Sequence, residues 1–447
     1  MDYTKRSDST EEAALIIGLG GTGTDAVIRL KRRIYGQLNL GEKDERTPES
    51  FNVKYLIIDS DSSKIKDQWR TAAAIDEKEE FFFIRGNDKI RNLCNEEYIK
   101  SRQEFYWLNY GYFSYDGNDR RWWSNNGIRQ LGRYLLVSSA ERIYEKIKAD
   151  IQSLLKENRN RDLTVHICTG LSGATGSGIF LDVCYLVRLA LQEMKKEDAV
   201  VCGYFFMPDV NISMPEIKMS SLLTEYIKVN GYTALQELDY CMNFSNNMDS
   251  FRVDYGFKKI DFGMKPVDLC WLVSATDASG KLLKDGYMHA ISSVCSFIDR
   301  FLMKTRNTDR ECVKEDEIWS LQKLMTVLNA ADAEVELRHG ANINYRIFGI
   351  DEEPLLWKNP LYTQTITKYN MKAIAREAAD GCEMMGCSSI VHIYSGVSLH
   401  AYQELWDWER AYESDRKPCR HLYERGSENW NLKLPSPIPA SFRGDKT

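Results

Sequence analysis

Near the start of the chain, Gly18-Leu19-Gly20-Gly21-Thr22-Gly23 spaces its glycines as G-x-G-x-x-G, between the apolar run LIIG and a helix-like segment. Glycines at this spacing allow a tight turn and let backbone N–H groups approach a phosphate at a helix N-terminus. A dinucleotide fingerprint also needs an acid about 20 positions further on, ending the second strand, to hold a ribose hydroxyl. Here the next strand-like run is Tyr55-Leu56-Ile57-Ile58, and its acids, Asp59 and Asp61, arrive later than that. The segment VHICTGLSGATGSGIFLDVCYLV then repeats the plan of strand, glycine loop and helix. Two phosphate-cradling loops on neighbouring strand ends are expected, where a dinucleotide fold normally supplies one.

The elements that must hold these loops alternate along the chain. Strand-like runs (LIIG, VKYLIID, LTVHICTG, AVVCGYFFMP, VDLCWLVSA) are separated by helix-like segments such as AVIRLKRRIYGQL and SGIFLDVCYLVRLALQEMKK. Apolar runs without alternation belong to strands covered on both faces, so the reading is an α/β protein with a doubly wound, mostly parallel sheet. A polar tail, 1–12, precedes a nucleotide-binding domain over 13–283. An aromatic, charged insertion at about 77–123 interrupts that domain; it either covers itself with its own rings or offers a partner surface. DGYMHAISSVCSFIDRFLM predicts a central helix, 284–304, buried on most sides. Helical pieces and short strands such as NYRIFGI and SIVHIYSG predict a smaller α+β domain over 305–447, with an extended tail.

Composition removes several classes of function. The net charge of −6 gives no basic footprint for nucleic acid, and the short clusters at 31–33 and 120–121 read as solvated faces. The 11 cysteines, several inside apolar runs (Cys168, Cys202, Cys270), read as small buried hydrophobes of a reducing compartment, so the expected location is the cytoplasm. No apolar run approaches the length of about 20 residues that a spanning helix needs, and the N-terminal residues hold no apolar signal core.

The second loop, Ser172-Gly173-Ala174-Thr175-Gly176-Ser177-Gly178, resembles the tubulin signature [SAG]-G-G-T-G-[SA]-G, with Ala174 in place of its second glycine. GLGGTGTDAV resembles the opening loop of FtsZ and other bacterial tubulin relatives. The chain is identified by these loops as resembling the tubulin/FtsZ superfamily over about residues 13–400, closest to its divergent bacterial tubulin-like members. The resemblance implies GTP or GDP as ligand, magnesium as cofactor and head-to-tail self-assembly into filaments. It implies phosphate contacts from Gly18, Gly20, Gly21, Thr22, Gly23, Ser172, Gly173, Ala174, Thr175, Gly176 and Ser177. Asp59 and Asp61 are similar to the acidic pair near magnesium and the terminal phosphate, and such hard oxygen ligands suit that ion. SNNGIRQLGR resembles the third, γ-phosphate-sensing loop and carries Asn126; its Arg129 and Arg133 either meet phosphate or a neighbouring subunit, or have surface or structural roles. GYFFMPDVNISMPEI resembles the ribose-contacting segment, with Glu216 as its acid. Asp285, at the start of the central helix, is the candidate reader of guanine N1–H and the 2-amino group, or else a helix N-cap.

Asn307-Thr308-Asp309-Arg310-Glu311 stands about where the family carries its catalytic loop, which completes the site of the next subunit. Asn307, Asp309 and Glu311 are the catalytic candidates. Cys312 occupies the position where the second acid is expected, which favours an alternative: a non-hydrolysing nucleotide switch or scaffold. A dinucleotide-dependent oxidoreductase gives the second glycine loop no role. Cys382 and Cys387 have no second ligand pair at zinc spacing. His166 and His392, inside apolar runs, read as satisfied core residues. Ser172 lacks the G-x-S-x-G elbow of a hydrolase. Valine at Gly20 or Gly176 is expected to fill the space where phosphate meets backbone while leaving the fold intact.

Overall fold

The computed structural model describes residues 13–37, 52–108, 129–156, 162–275, 282–304 and 346–348, except positions 69–70, 94 and 106 and scattered positions between 220 and 249. The first half builds β1 (Ala13–Leu19), α1 (Gly20–Gln37), β2 (Val53–Asp59), α2 (Ser63–Lys66), β3 (Phe81–Phe83), α3 (Asn87–Leu93), α4 (Glu96–Lys100), α5 (Arg129–Val137) and α6 (Ala140–Leu154). There follow β4 (Leu163–Gly170), α7 (Thr175–Glu193), β5 (Val200–Phe206), α8 (Pro208–Ile212), α9 (Pro215–Lys218), β6 (Phe251–Asp254), β7 (Lys259–Phe262), β8 (Leu269–Val273), α10 (Gly286–Lys304) and β9 (Arg346–Phe348).

Seven strands form one sheet in the order β3-β2-β1-β4-β5-β8-β9, and every pairing in it is parallel. The strand-like runs hold because both faces are covered: each residue of β1, β4, β5 and β8 is buried. Alternate residues of β1 feed two cores. Leu15, Ile17 and Leu19 pack with residues of α5, α6 and α7, whereas Ala14 and Ile16 pack with residues of α1 and α10. This is the doubly wound α/β layering expected of such runs. Among the described residues, no helix is long and apolar enough to cross a membrane.

Several elements differ from the sequence reading. Phe81–Phe83, inside the aromatic stretch that breaks the pattern, is the edge strand beside β2, in register Ile57↔Phe81. Arg346–Phe348, within NYRIFGI, extends the main sheet beside β8. β6 and β7 form an unanticipated antiparallel pair, whose Phe251 ring stacks on Tyr185 of α7 at 4.0 Å. Lys31 is not on a solvated face: it is buried, with Nζ 2.8 Å from one Glu80 carboxylate oxygen and 2.6 Å from the other, while Arg32 and Arg33 are exposed. Within the insertion, Phe105 and Trp107 belong to the core, the latter beneath the Arg133 guanidinium at 4.3 Å. α10 buries Ala290, Ile291, Val294 and Ile298 completely but exposes Met288 and His289 near its start, so its buried face is wide without being all-round.

Candidate functional site

β1 leads to β2 and β3 on one side and β4 leads to β5 and β8 on the other, so the winding reverses between β1 and β4. At such a switch point the two outgoing connections part and leave a crevice beyond the carboxyl ends of the strands. Both glycine loops start there, α1 directly after β1 and α7 four residues after β4.

The loops meet backbone to backbone. A Cβ on Gly20 would lie 2.5 Å from the Gly176 nitrogen, and Gly20 has φ +63°. A Cβ on Gly176 would lie 2.5 Å from Thr169 Oγ1 and 2.6 Å from the Leu19 carbonyl oxygen. Gly18 would meet the Gly23 carbonyl at 2.5 Å, and Gly23 the carbonyl of Cys168. Glycine is therefore required at 18, 20, 23 and 176 because chain packs on chain. That corrects the expectation for valine at Gly20 or Gly176: either would disturb the fold itself. Gly173 differs, being exposed with nothing within 4 Å of its Cβ direction.

Around the second loop, Ser172 is buried; its carbonyl accepts from Asn230 Nδ2 at 3.1 Å and its hydroxyl has no partner. Ala174 stands at the N-cap of α7 without a side-chain cap, which leaves first-turn N–H groups free of a protein cap. Neither α1 nor α7 has an acid in its first turn, so neither helix offsets the positive end of its own dipole there. Ala174 also packs on α5: a Cβ on Gly132 would lie 2.5 Å from its carbonyl oxygen. Ser177 is gripped by Arg129, Nε to Oγ at 2.8 Å and Nη2 to the carbonyl oxygen at 3.0 Å; the same guanidinium pairs with Glu237. Arg133 pairs with Asp182 at 3.1 Å. Both arginines are buried, so the structural reading of the two holds.

The acids of the β2 end divide their work. Asp59 is buried and accepts from Ser60 N at 2.7 Å, Asp61 N at 3.3 Å and Thr24 Oγ1 at 3.2 Å. Burial nevertheless pushes its carboxyl up to about 6. Asp61 turns to Ser63, accepting from its N and its Oγ at 2.9 Å each. Ser60 and Thr175 share a hydroxyl–hydroxyl hydrogen bond of 2.6 Å that links the β2 loop to the second glycine loop. Among the described residues no group of three or more His, Cys, Asp or Glu gathers as a metal cage. Magnesium needs none, being held through one or two carboxylates plus phosphate.

Four residues at the crevice escaped the sequence reading. Lys64 donates to the Gly21 carbonyl at 3.1 Å and to Asp25 Oδ2 at 2.5 Å, and Tyr287 of α10 donates to that same oxygen at 2.6 Å. Burial and then the Asp25 charge hold the Tyr287 phenol well above its usual range. Asn211 donates to Thr22 Oγ1 at 3.4 Å, and its own Oδ1 is buried without a partner. Of the predicted residues, Glu216 is exposed on the one-turn α9, and it is Asn211 of the same segment that reaches the first glycine loop. Asp285 is exposed with φ +56°, and its carbonyl accepts from His289 N at 3.1 Å, as the residue before a helix does. Asn126, Asn307, Asp309, Glu311 and Cys312 lie outside the described residues, as do Cys382, Cys387 and His392. His166 is a satisfied core residue, 3.2 Å from Tyr204 OH and 3.2 Å from Thr164 Oγ1, and burial lowers its pKa to about 3. Cys168, Cys202 and Cys270 are buried and in no disulfide, as their apolar context predicts.

An all-parallel, doubly wound sheet with a glycine loop on each side of its switch point and a long helix after β8 defines an α/β protein of the doubly wound class. The chain belongs to the tubulin-like family, whose profile, described as "Tubulin like", matches residues 15–351. Among solved structures it is similar to CetZ1 from Haloferax volcanii, a GDP-bound monomer, with 11% identity, 90% of this chain and 99% of that one covered, and a TM-score of 0.38. CetZ2 from Haloferax volcanii, a GTPγS-bound protofilament, gives 12% identity, 72% coverage of each chain and a TM-score of 0.36. An FtsZ from M. jannaschii gives 14%, 72% and 63% coverage, and 0.35. A search of curated protein sequences gave no match.

Proposed function

We propose that this chain binds GTP in the crevice between its two glycine loops, assembles head to tail into filaments in the cytoplasm, and hydrolyses GTP where subunits meet. The observation that carries the reading is the backbone contact of Gly20 with Gly176, which makes two loops into one site. The residues present fit a nucleoside triphosphate. Ser172 Oγ and Asn211 Oδ1 are buried without partners, the first turn of α7 lacks a side-chain cap, and space is open at Gly173. Backbone N–H groups of residues 20–23 and 173–177 would hold the phosphates, with Ser172, Thr175 and Ser177 hydroxyls beside them. Asp59 and Asp61 would hold magnesium, which when bound neutralises charge on the phosphates. Asn126 would face the terminal phosphate, Glu216 or Asn211 the ribose, and Asp285 the base.

Hydrolysis would be carried by Asp309, with Asn307 and Glu311, orienting water at the neighbour's terminal phosphate. A contact of unlike faces that does not close yields a filament. Cys312, in place of the expected second acid, favours a second reading, a nucleotide-dependent scaffold that retains GTP, with the aromatic insertion as the surface for a protein partner. Purified protein mixed with GTP, ATP, NAD or NADP separates the readings. Retention of GTP with phosphate release and light scattering that rise together supports the first, retention alone the second, and retention of NAD overturns both.

A further inference from the structure

The first glycine loop carries a cation that belongs to no glycine motif. Lys64 Nζ lies 3.1 Å from the Gly21 carbonyl, and it is the atom that a Cβ on Gly21 would approach, at 3.7 Å. An ammonium in that place lies beside the opening turn of α1, within a lysine side chain's swing of an anion held by the loop's N–H groups. The nearby arginines are not available for this work, since Arg129 and Arg133 are buried and paired with Glu237 and Asp182. The acids around it, Asp25, Asp59 and Asp61, make the crevice a poor host for a polyphosphate unless cations offset them.

Lys64 is also held in a way that permits release. Its ion pair with Asp25 leaves the lysine side chain 42% and the aspartate side chain 28% exposed, so the pair is screened and weak. A triphosphate presents several charges to the ammonium in exchange for one carboxylate, and lysine serves phosphate as a mobile point charge. When Lys64 turns away, Asp25 keeps its hydrogen bond from Tyr287 OH at 2.6 Å, so its carboxylate is not stranded.

We propose that Lys64 is a phosphate-binding residue of the crevice, and that Asp25 is its resting partner, holding the ammonium beside the first glycine loop until a nucleotide displaces the carboxylate. This rests on the nucleotide reading above. It adds the point of origin: the charge comes from α2, on the connection after β2, rather than from either glycine loop.

The test uses the full chain with magnesium and compares GTP, GDP and guanosine binding by equilibrium dialysis. Lys64→Met is expected to weaken GTP about ten- to hundredfold, as loss of a charged hydrogen bond does, and to leave guanosine unchanged. Lys64→Arg should restore most of the loss. Asp25→Asn should leave GTP binding equal or tighter. The salt dependence of GTP binding should be shallower in Lys64→Met. Lys64 is partly exposed, and thermal melts confirm that each variant folds. GTP affinity unchanged in Lys64→Met, or an equal loss for guanosine, overturns the assignment while the nucleotide reading stands. Failure of the unmutated protein to retain GTP overturns the nucleotide reading and this assignment with it.

Discussion

Arg129 holds Ser177 at two points, hydroxyl and carbonyl, with a guanidinium that has no access to solvent. The contact fastens the start of α5 to the first turn of α7, and Glu237 pairs with the same Nη2 that donates to the Ser177 carbonyl. Arg129→Met would take the guanidinium partner from the buried Glu237 carboxylate, a change that typically costs about 3–5 kcal/mol. A large drop in urea or thermal midpoint is the expected outcome, with a smaller one for Glu237→Gln. A midpoint unchanged in Arg129→Met would deny the contact a structural role.

Gly173 and Gly20 should respond oppositely to the same substitution. Gly173→Ala enters open space at an exposed position, so stability should stay within about 0.5 kcal/mol while GTP retention falls. Gly20→Ala meets the Gly176 nitrogen from a backbone at φ +63° and should lower the melting temperature outright. Melts and nucleotide retention on both variants decide the matter; a stable Gly20→Ala would contradict the contact.

The sheet was largely legible and the site only partly so, for physical reasons that differ. LIIG, LTVHICTG and VDLCWLVSA announce strands because burial on both faces favours apolar runs without alternation, a pattern that a sequence displays directly. Phe81–Phe83 carries no such mark. It is a three-residue edge strand with one buried ring and one exposed, and its pairing with β2 decides its structure. The β6 and β7 strands show their alternation, FRVD and KIDF, over only four residues each. Glycine loops are visible because only glycine fits a backbone contact such as that of Gly20 with Gly176. Lys64, Asp25 and Asn211 are ordinary residue types whose meaning comes from being brought together, and no spacing foretells it.

Asp59 gives a pH signature. Burial raises its pKa from 3.8 to about 6, so between those values the folded protein keeps a proton that the unfolded chain releases. The resulting stability is complete below about pH 4 and is lost as pH rises through about 6, by about 3 kcal/mol at full ionisation. Asp59→Asn should therefore raise the melting temperature at pH 7.5 and leave it nearly unchanged at pH 4. A bound cation needs the ionised form, so any magnesium dependence of GTP retention should weaken up to tenfold per pH unit below about 6. Magnesium dependence that is flat from pH 5 to 8 would remove Asp59 from the metal.

Asp309 tests the division of labour between subunits. Asp309→Ala is expected to keep GTP affinity and lose about 10²–10⁴-fold in turnover, the usual worth of a group that orients or deprotonates water. Specific activity of the unmutated protein should rise with concentration. A Gly173→Val partner, poor in nucleotide binding but intact at Asp309, should restore part of the activity on mixing. Phosphate release that is independent of dilution and unrescued by the partner would leave the scaffold reading in front.

The interior place of β1 in the sheet has a consequence for how the protein is made. β1 needs two neighbours, and the second, β4, brings Thr169 to Leu19 across 150 residues of chain. During synthesis, one hydrogen-bonding edge of a wholly apolar strand thus waits unpaired until β4 has emerged. Parallel pairings at such separation are slow to close and expose adhesive edges meanwhile. The nascent chain is therefore expected to gain from chaperones that shield strand edges, and its yield on expression should follow their supply more closely than it follows the stability of the finished fold.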